Sequence, residues 1–116
     1  MVIEDKLLKY IVSQDATVEE AWSIIEENRQ RSVIVVDNNK VVGTLSDGDL
    51  RKAMLSGRLM ATPVKEVMNI NFFSITKDKI KNGKKIFKKK AFFLIPIVDE
   101  NMNLLNILAN TDRFKD

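Results

Sequence analysis

The chain has 116 residues, room for one compact domain, and its 45% apolar and 30% charged residues suit a folded protein. It contains neither Cys nor His, which excludes disulfides, thiolate nucleophiles, Cys/His zinc sites and imidazole bases. The net charge of +3 is uneven: residues 1–58 carry 8 Lys/Arg against 10 Asp/Glu, and residues 59–116 carry 11 against 6.

An extended piece is predicted at residues 10–12. Thr17-Val18-Glu19-Glu20 has capping-box spacing, so a helix begins at Val18. Val18, Ala21, Trp22 and Ile25 form its buried stripe, and its glutamates are solvated. Residues 32–36 and 41–45 are β-branched runs joined by the polar turn Asp37-Asn38-Asn39-Lys40, which predicts a hairpin. Ser46 or Asp47 caps a second helix over 48–56, ended by Gly57. Thr62-Pro63 opens a short helix through Met68. Residues 72–75 are extended, 79–89 helical, and 91–98 and 104–108 form a second hairpin. Little more than a turn of a last helix follows from Asn110, so the chain reads as cut from something longer.

Residues 79–90 hold most of the positive excess. An anionic-polymer or membrane patch and a solvated helix face are both open. Ile80, Gly83, Ile86 and Phe87 make one side apolar, and on the opposite, wet face no Arg or aromatic residue is interleaved with the lysines. That favours the solvated face, with no nucleic-acid partner. The longest apolar run, 91–98, cannot span a membrane. Met1-Val2-Ile3-Glu4-Asp5 is no secretory signal. The expectation is a cytoplasmic protein.

The order strand, helix, strand, strand, helix occurs twice. Val36-Asp37 matches Val98-Asp99 at an offset of 62, which becomes 63 after the longer second turn. Val18, Ala21, Ile24 and Ile25 fall on Ile80, Gly83, Ile86 and Phe87. The fold expected is α+β with α/β-type layers. It has two pseudo-symmetric β-α-β-β-α halves, 1–58 and 59–116, packed sheet to sheet with a cleft between them.

Gly43-Thr44-Leu45-Ser46-Asp47-Gly48-Asp49-Leu50-Arg51 joins a strand to a helix start. Ser46 and Asp49 lie on one side of that start, beside free N–H groups. A hydroxyl and a carboxylate placed so suit a ribose diol and a phosphate. The same pair is also an ordinary helix cap, and the two roles are compatible. Asp47 and Asp49 are the only candidates for converging carboxylates in a metal-assisted enzyme, and the helix start explains both. A binding module without metal is therefore expected rather than an enzyme.

These segments resemble the CBS domain. The shared pattern is a strand ending in Val35-Val36-Asp37, a hairpin, Gly43, Ser46 and Asp49, with Thr17-Val18-Glu19-Glu20-Ala21 at the first helix and Ile95-Pro96-Ile97-Val98-Asp99 in the later copy. The resemblance covers nearly the whole chain. It implies a tandem regulatory pair that binds an adenine nucleotide (AMP, ADP, ATP or S-adenosylmethionine) between its repeats. Carried over by position, Ser46 and Asp49 hold the ribose, with Asp47 beside them. Val33 and Val35, or their strand neighbours, meet the base. Residues 10–13, including Ile11 and Ser13, close over it, and Arg31 or Arg51 meets the phosphates. In the second copy Asn106 replaces the Gly and Ala109 the hydroxyl, leaving only Asp112, so one good site is expected. The resemblance also implies a homodimer through helices carrying Met54, Leu55 and residues 64–68. Residues 104–108 are similar to CBS pairs that precede a sugar-phosphate nucleotidyltransferase domain. A degenerate pair that only dimerises is the alternative.

Overall fold

The computed structural model describes residues 2–3, 7–89 and 93–110. The first elements are β1 (Val2–Ile3), a 3-10 turn (Leu7–Lys9), β2 (Ile11–Ser13), α1 (Val18–Asn28), β3 (Ser32–Asp37), β4 (Lys40–Ser46) and α2 (Asp47–Leu55). A 3-10 turn (Val64–Glu66), a 3-10 helix (Lys77–Asn82), α3 (Gly83–Lys89), β5 (Leu94–Val98) and β6 (Leu104–Ala109) follow. The strands form two sheets, ordered β2-β3-β4 and β1-β6-β5.

The expected α+β repeat is present in the packing. Val12, Val18, Ala21, Ile25, Val33, Val35, Leu45 and Leu50 fill the space between the first sheet and its helices. Ile75, Ile95, Ile97 and Leu108, with Ile80, Ile86 and Phe87 against them, do the same for the second. Val33, Val35 and Leu45 correspond to Ile95, Ile97 and Leu108 at the offsets of 62 and 63. A third cluster joins the sheets face to face: Ile34, Val41, Leu94, Val98, Leu104, Ile107 and Ala109.

The hairpin turns show the pseudo-two-fold directly. The Val41 N–H donates to the Met102 carbonyl at 2.9 Å, and the Leu104 N–H donates to the Asn39 carbonyl at 2.8 Å. These bonds interchange when each position is moved by 63. Asn39 and Met102 share the left-handed backbone, with φ of 68° and 67°.

Local rules place α1. The Thr17 hydroxyl accepts the Glu20 N–H at 3.2 Å. Two further first-turn donors, the N–H groups of Val18 and Glu19, reach the carbonyls of Thr62 and Met60 at 2.8 and 3.0 Å. Those bonds strap the inter-repeat linker to the first repeat. The Val64 and Lys65 N–H groups donate to Ala16 and Gln14. Residues 63–68, expected as a helix, therefore form one 3-10 turn within an extended strap.

Two other expectations change. Residues 72–75 form no strand beyond the single bridge of Ile75 to Ile97. In the first repeat the Ile34 N–H donates to the Tyr10 carbonyl. The equivalent residue is Pro96, which has no N–H to give. The helix expected over 79–89 starts earlier, as a 3-10 helix, and becomes α-helical only at Gly83. Thr76 gives its hydroxyl to the Asp78 carboxylate rather than capping the helix. Lys77, Lys81 and Lys85 also stand at i, i+4 spacing, where like charges repel.

A Cβ at Gly83 would lie 2.5 Å from a Leu108 methyl, so a side chain there would force Leu108, buried against the second core, to shift. Gly83→Ala is expected to destabilise the chain by about 1–3 kcal/mol, read as a lower urea midpoint.

Asp99 caps the second hairpin turn. Its carboxylate accepts the Asn103 side-chain and backbone N–H groups and the Asn101 N–H, at 3.1, 2.9 and 2.9 Å. These bonds hold its pKa below the ordinary Asp value. The stabilisation is thus complete above the unfolded pKa and lost as pH falls through the lowered one. The Tm gap between the chain and Asp99→Asn should be full at neutral pH and shrink on acidification; a gap that widens in acid would refute this.

Candidate functional site

The cleft between the sheets is built from the register of the first hairpin. In β3 and β4, Ser32 pairs with Ser46 and Ile34 with Thr44. Opposed residues share a face, and this face looks toward the second repeat. Ser32, Ile34, Thr44, Leu45, Ser46 and Asp49 line the cleft on one side. Phe93 and Leu94 close it from the second repeat, and Asn69 of the linker stands at the edge. The cavity is about 210 Å³.

Asn69 is held there by an added edge pairing, its N–H to the Thr44 carbonyl at 2.8 Å and the Thr44 N–H back to it at 3.1 Å. The backbone can come so close because Gly43 has no side chain. A Cβ there would be 2.8 Å from the Met68 sulfur and 3.1 Å from the Asn69 oxygen.

Ser46 and Asp49 make a full capping box at the start of α2. Asp49 Oδ2 accepts the Ser46 N–H at 2.9 Å and the Ser46 hydroxyl at 3.0 Å, while Ser46 Oγ accepts the Asp49 N–H at 3.1 Å. Asp49 Oδ1 takes no hydrogen bond among the described residues. The pair therefore caps the helix through one carboxylate oxygen of a residue that also lines the cleft. A carboxylate edge beside two hydroxyls, Ser46 and Thr44, and facing the apolar walls of Ile34, Phe93 and Leu94, can receive a vicinal diol attached to a flat, weakly polar ring.

The other sequence candidates lie elsewhere. Val33 and Val35 are fully buried on the helix side of the first sheet, so their side chains do not reach the cleft. Their strand neighbours Ser32 and Ile34 do. Ile11 packs on the inter-sheet cluster, and Ser13 is exposed, its Oγ accepting the Asp15 N–H. Asp47 is held in ion pairs with Arg31 at 3.0 Å and Arg51 at 3.9 Å. Asp47, Arg31 and Arg51 line a separate surface groove with Trp22, Glu26 and Arg29. In the second repeat Asn106 accepts the Ile107 N–H and Ala109 is buried, while Asp112 lies outside the described residues.

The sequence offered Ser32 and Ile34 only as strand neighbours of Val33 and Val35, and it did not point to Thr44, Asn69 or the Phe93–Leu94 wall. Thr44 was within reach, two residues before Ser46 on the same strand face. Among the described residues no cluster of His, Cys, Asp or Glu could hold a metal ion. Nor is any described helix long and apolar enough to cross a membrane.

The CBS domain family model matches residues 9–56. The chain is 30% identical over 103 residues to the CBS domain-containing protein YhcV of Bacillus subtilis, covering 87% of this chain and 73% of that one. It is 28% identical over 106 residues to the arabinose 5-phosphate isomerase GutQ of Escherichia coli, covering 90% of this chain but 33% of that enzyme. The chain thus spans only a third to under two thirds of the length of several curated relatives it matches. A putative acetoin utilization protein, AcuB, from Vibrio cholerae superposes with a TM-score of 0.78 at 26% identity, covering 90% of this chain and 78% of that one. The CBS domain protein PAE2072 of Pyrobaculum aerophilum, solved in complex with AMP, superposes with a TM-score of 0.74 at 15% identity, covering 92% and 84%. With two sheets related by a pseudo-two-fold and a helix-capping Ser–Asp pair at their cleft, the chain belongs to the CBS domain family, as a regulatory CBS pair.

Proposed function

We propose that this CBS pair senses an adenine nucleotide, AMP, ADP or ATP, bound in the cleft between its repeats, 1–58 and 59–116. The observation that carries this is the Asp49 carboxylate in the cleft lining, held by Ser46 through one oxygen, with Ile34, Phe93 and Leu94 lining the same cleft. Asp49 and the Ser46 hydroxyl meet the ribose, and the base lies between the backbone of β3 and the Phe93–Leu94 wall. The AMP complex of PAE2072 supports an adenine ligand for this fold. At about 210 Å³ the cleft is smaller than the roughly 300–1,000 Å³ usual for small-molecule sites. The phosphates therefore stay outside it, on the side of Arg31, or the repeats part.

The module belongs to a larger cytoplasmic protein whose catalytic domain it regulates. The resemblance pointed to a sugar-phosphate nucleotidyltransferase as the parent, and a sugar-phosphate enzyme of another class is proposed beside it because the relative GutQ is an arabinose 5-phosphate isomerase. The nucleotide acts by its differential affinity for two arrangements of the pair. The degenerate, dimerising reading is favoured by one observation, the exposed Leu55 and Leu59 at the end of α2, 88% and 72% accessible.

Calorimetric titration with AMP, ADP, ATP and S-adenosylmethionine separates the two. Binding at 100 times Kd should add about 2.7 kcal/mol of stability, so heat and a raised Tm are expected for at least one nucleotide. No heat and no Tm shift at millimolar ligand would leave the dimerising reading.

A further inference from the structure

Arg31 and Phe93 hold equivalent positions in the two repeats, 62 apart, and they meet. The guanidinium carbon of Arg31 stands 5.4 Å from the centre of the Phe93 ring, a cation–π distance. Phe93 is also part of the cleft wall. The guanidinium is also held by Asp47, with Nε 3.0 Å from Oδ2. One side chain therefore ties the first repeat to the second at the edge of the cleft.

The turn that presents Arg31 is built for this. Arg29 and Arg31 both take the left-handed backbone, with φ of 57° and 63°, uncommon for such side chains. Such a conformation persists only where its surroundings over-determine it. Asn28 does so: its Oδ1 accepts the Gln30 N–H at 2.7 Å, and its Nδ2 donates to the Lys9 and Ser32 carbonyls at 3.0 Å. The Asp47 N–H adds a bond to the Arg31 carbonyl at 3.0 Å.

We infer that Arg31 and Phe93 form a latch across the cleft, which must release before a ligand enters. The inference rests on reading the cleft as a ligand site. A closed latch accounts for a cavity too small for a nucleotide. An anionic ligand offers the guanidinium an alternative partner, so binding favours the released state.

The absence of native Cys makes a clean test possible. A single thiol is introduced as Thr44→Cys on the cleft face, and its alkylation by iodoacetamide is timed. Arg31→Gln and Phe93→Leu are each expected to raise that rate about tenfold. The rate at Ala53→Cys, a buried position of α2 that does not line the cleft, should not change. Equal acceleration at both thiols would mean general loosening, and no acceleration at Thr44→Cys would mean a passive contact; either overturns the latch. AMP titration of the Cys-free chain decides the nucleotide reading separately. Faster cleft labelling without AMP binding would retain the latch and discard the nucleotide.

Discussion

Asp49→Ala is expected to lower adenine-nucleotide affinity by about 100-fold or more while the chain stays folded. Hydrogen bonds to a charged acceptor are worth about 1.5–3 kcal/mol each, and two ribose hydroxyls would lose theirs. The same substitution removes half of the α2 capping box, in which Asp49 Oδ2 accepts two bonds from Ser46. A stability loss of about 1 kcal/mol should accompany the loss of affinity. Asp49→Asn separates the effects, because an amide oxygen still accepts the Ser46 N–H. It should keep most of the stability and still lose affinity. Calorimetry and thermal melts on the same samples read both quantities. If Asp49→Ala lowers Tm and leaves affinity unchanged, Asp49 is a cap and nothing more.

Ile107→Ala is expected to cost about 2–5 kcal/mol, out of a total near 5–15 kcal/mol for a domain. Ile107 is fully buried in the cluster that joins the sheets. Truncation leaves a void there that neither sheet can collapse to fill. A repeat of about 58 residues is marginal alone, so the damage should reach both. Trp22 lies in the first repeat, on α1, and packs against its core. Its fluorescence should therefore shift to a lower urea midpoint although the substitution is in β6. An unchanged Trp22 midpoint would show that the repeats unfold independently.

Much of the fold was legible because its signals are local. The helix caps at Thr17 and Ser46 and the turn after Asp37 need only residues a few positions apart, and the repeat shows as the same local pattern met twice. The cleft face of β3 was not legible in the same way. Residues 32–36 are nearly all apolar, buried on both faces, so the alternation that tells inside from outside is missing. The sequence therefore pointed to Val33 and Val35 or their strand neighbours without deciding between the two faces, and the register puts Ser32 and Ile34 on the cleft. Pro96 carried a warning that the strand pairing beside it would be short. The Arg31–Phe93 contact left no local trace, since the partners are 62 positions apart and only the packing of two sheets brings them together.

The short strand β1 belongs in sequence to the first repeat and in space to the sheet of the second, where Val2 pairs with Leu108 and Ile3 with Ile107. During synthesis β1 leaves the ribosome before every other element described, yet its partner appears about a hundred residues later. At about 5–20 residues per second that is a wait of roughly 5–20 s. The hairpins of β3–β4 and β5–β6 can close as soon as they emerge, because their loops are short. The earliest strand is thus the last to be placed, and until β6 arrives its two apolar residues remain open to a chaperone or to a neighbouring nascent chain.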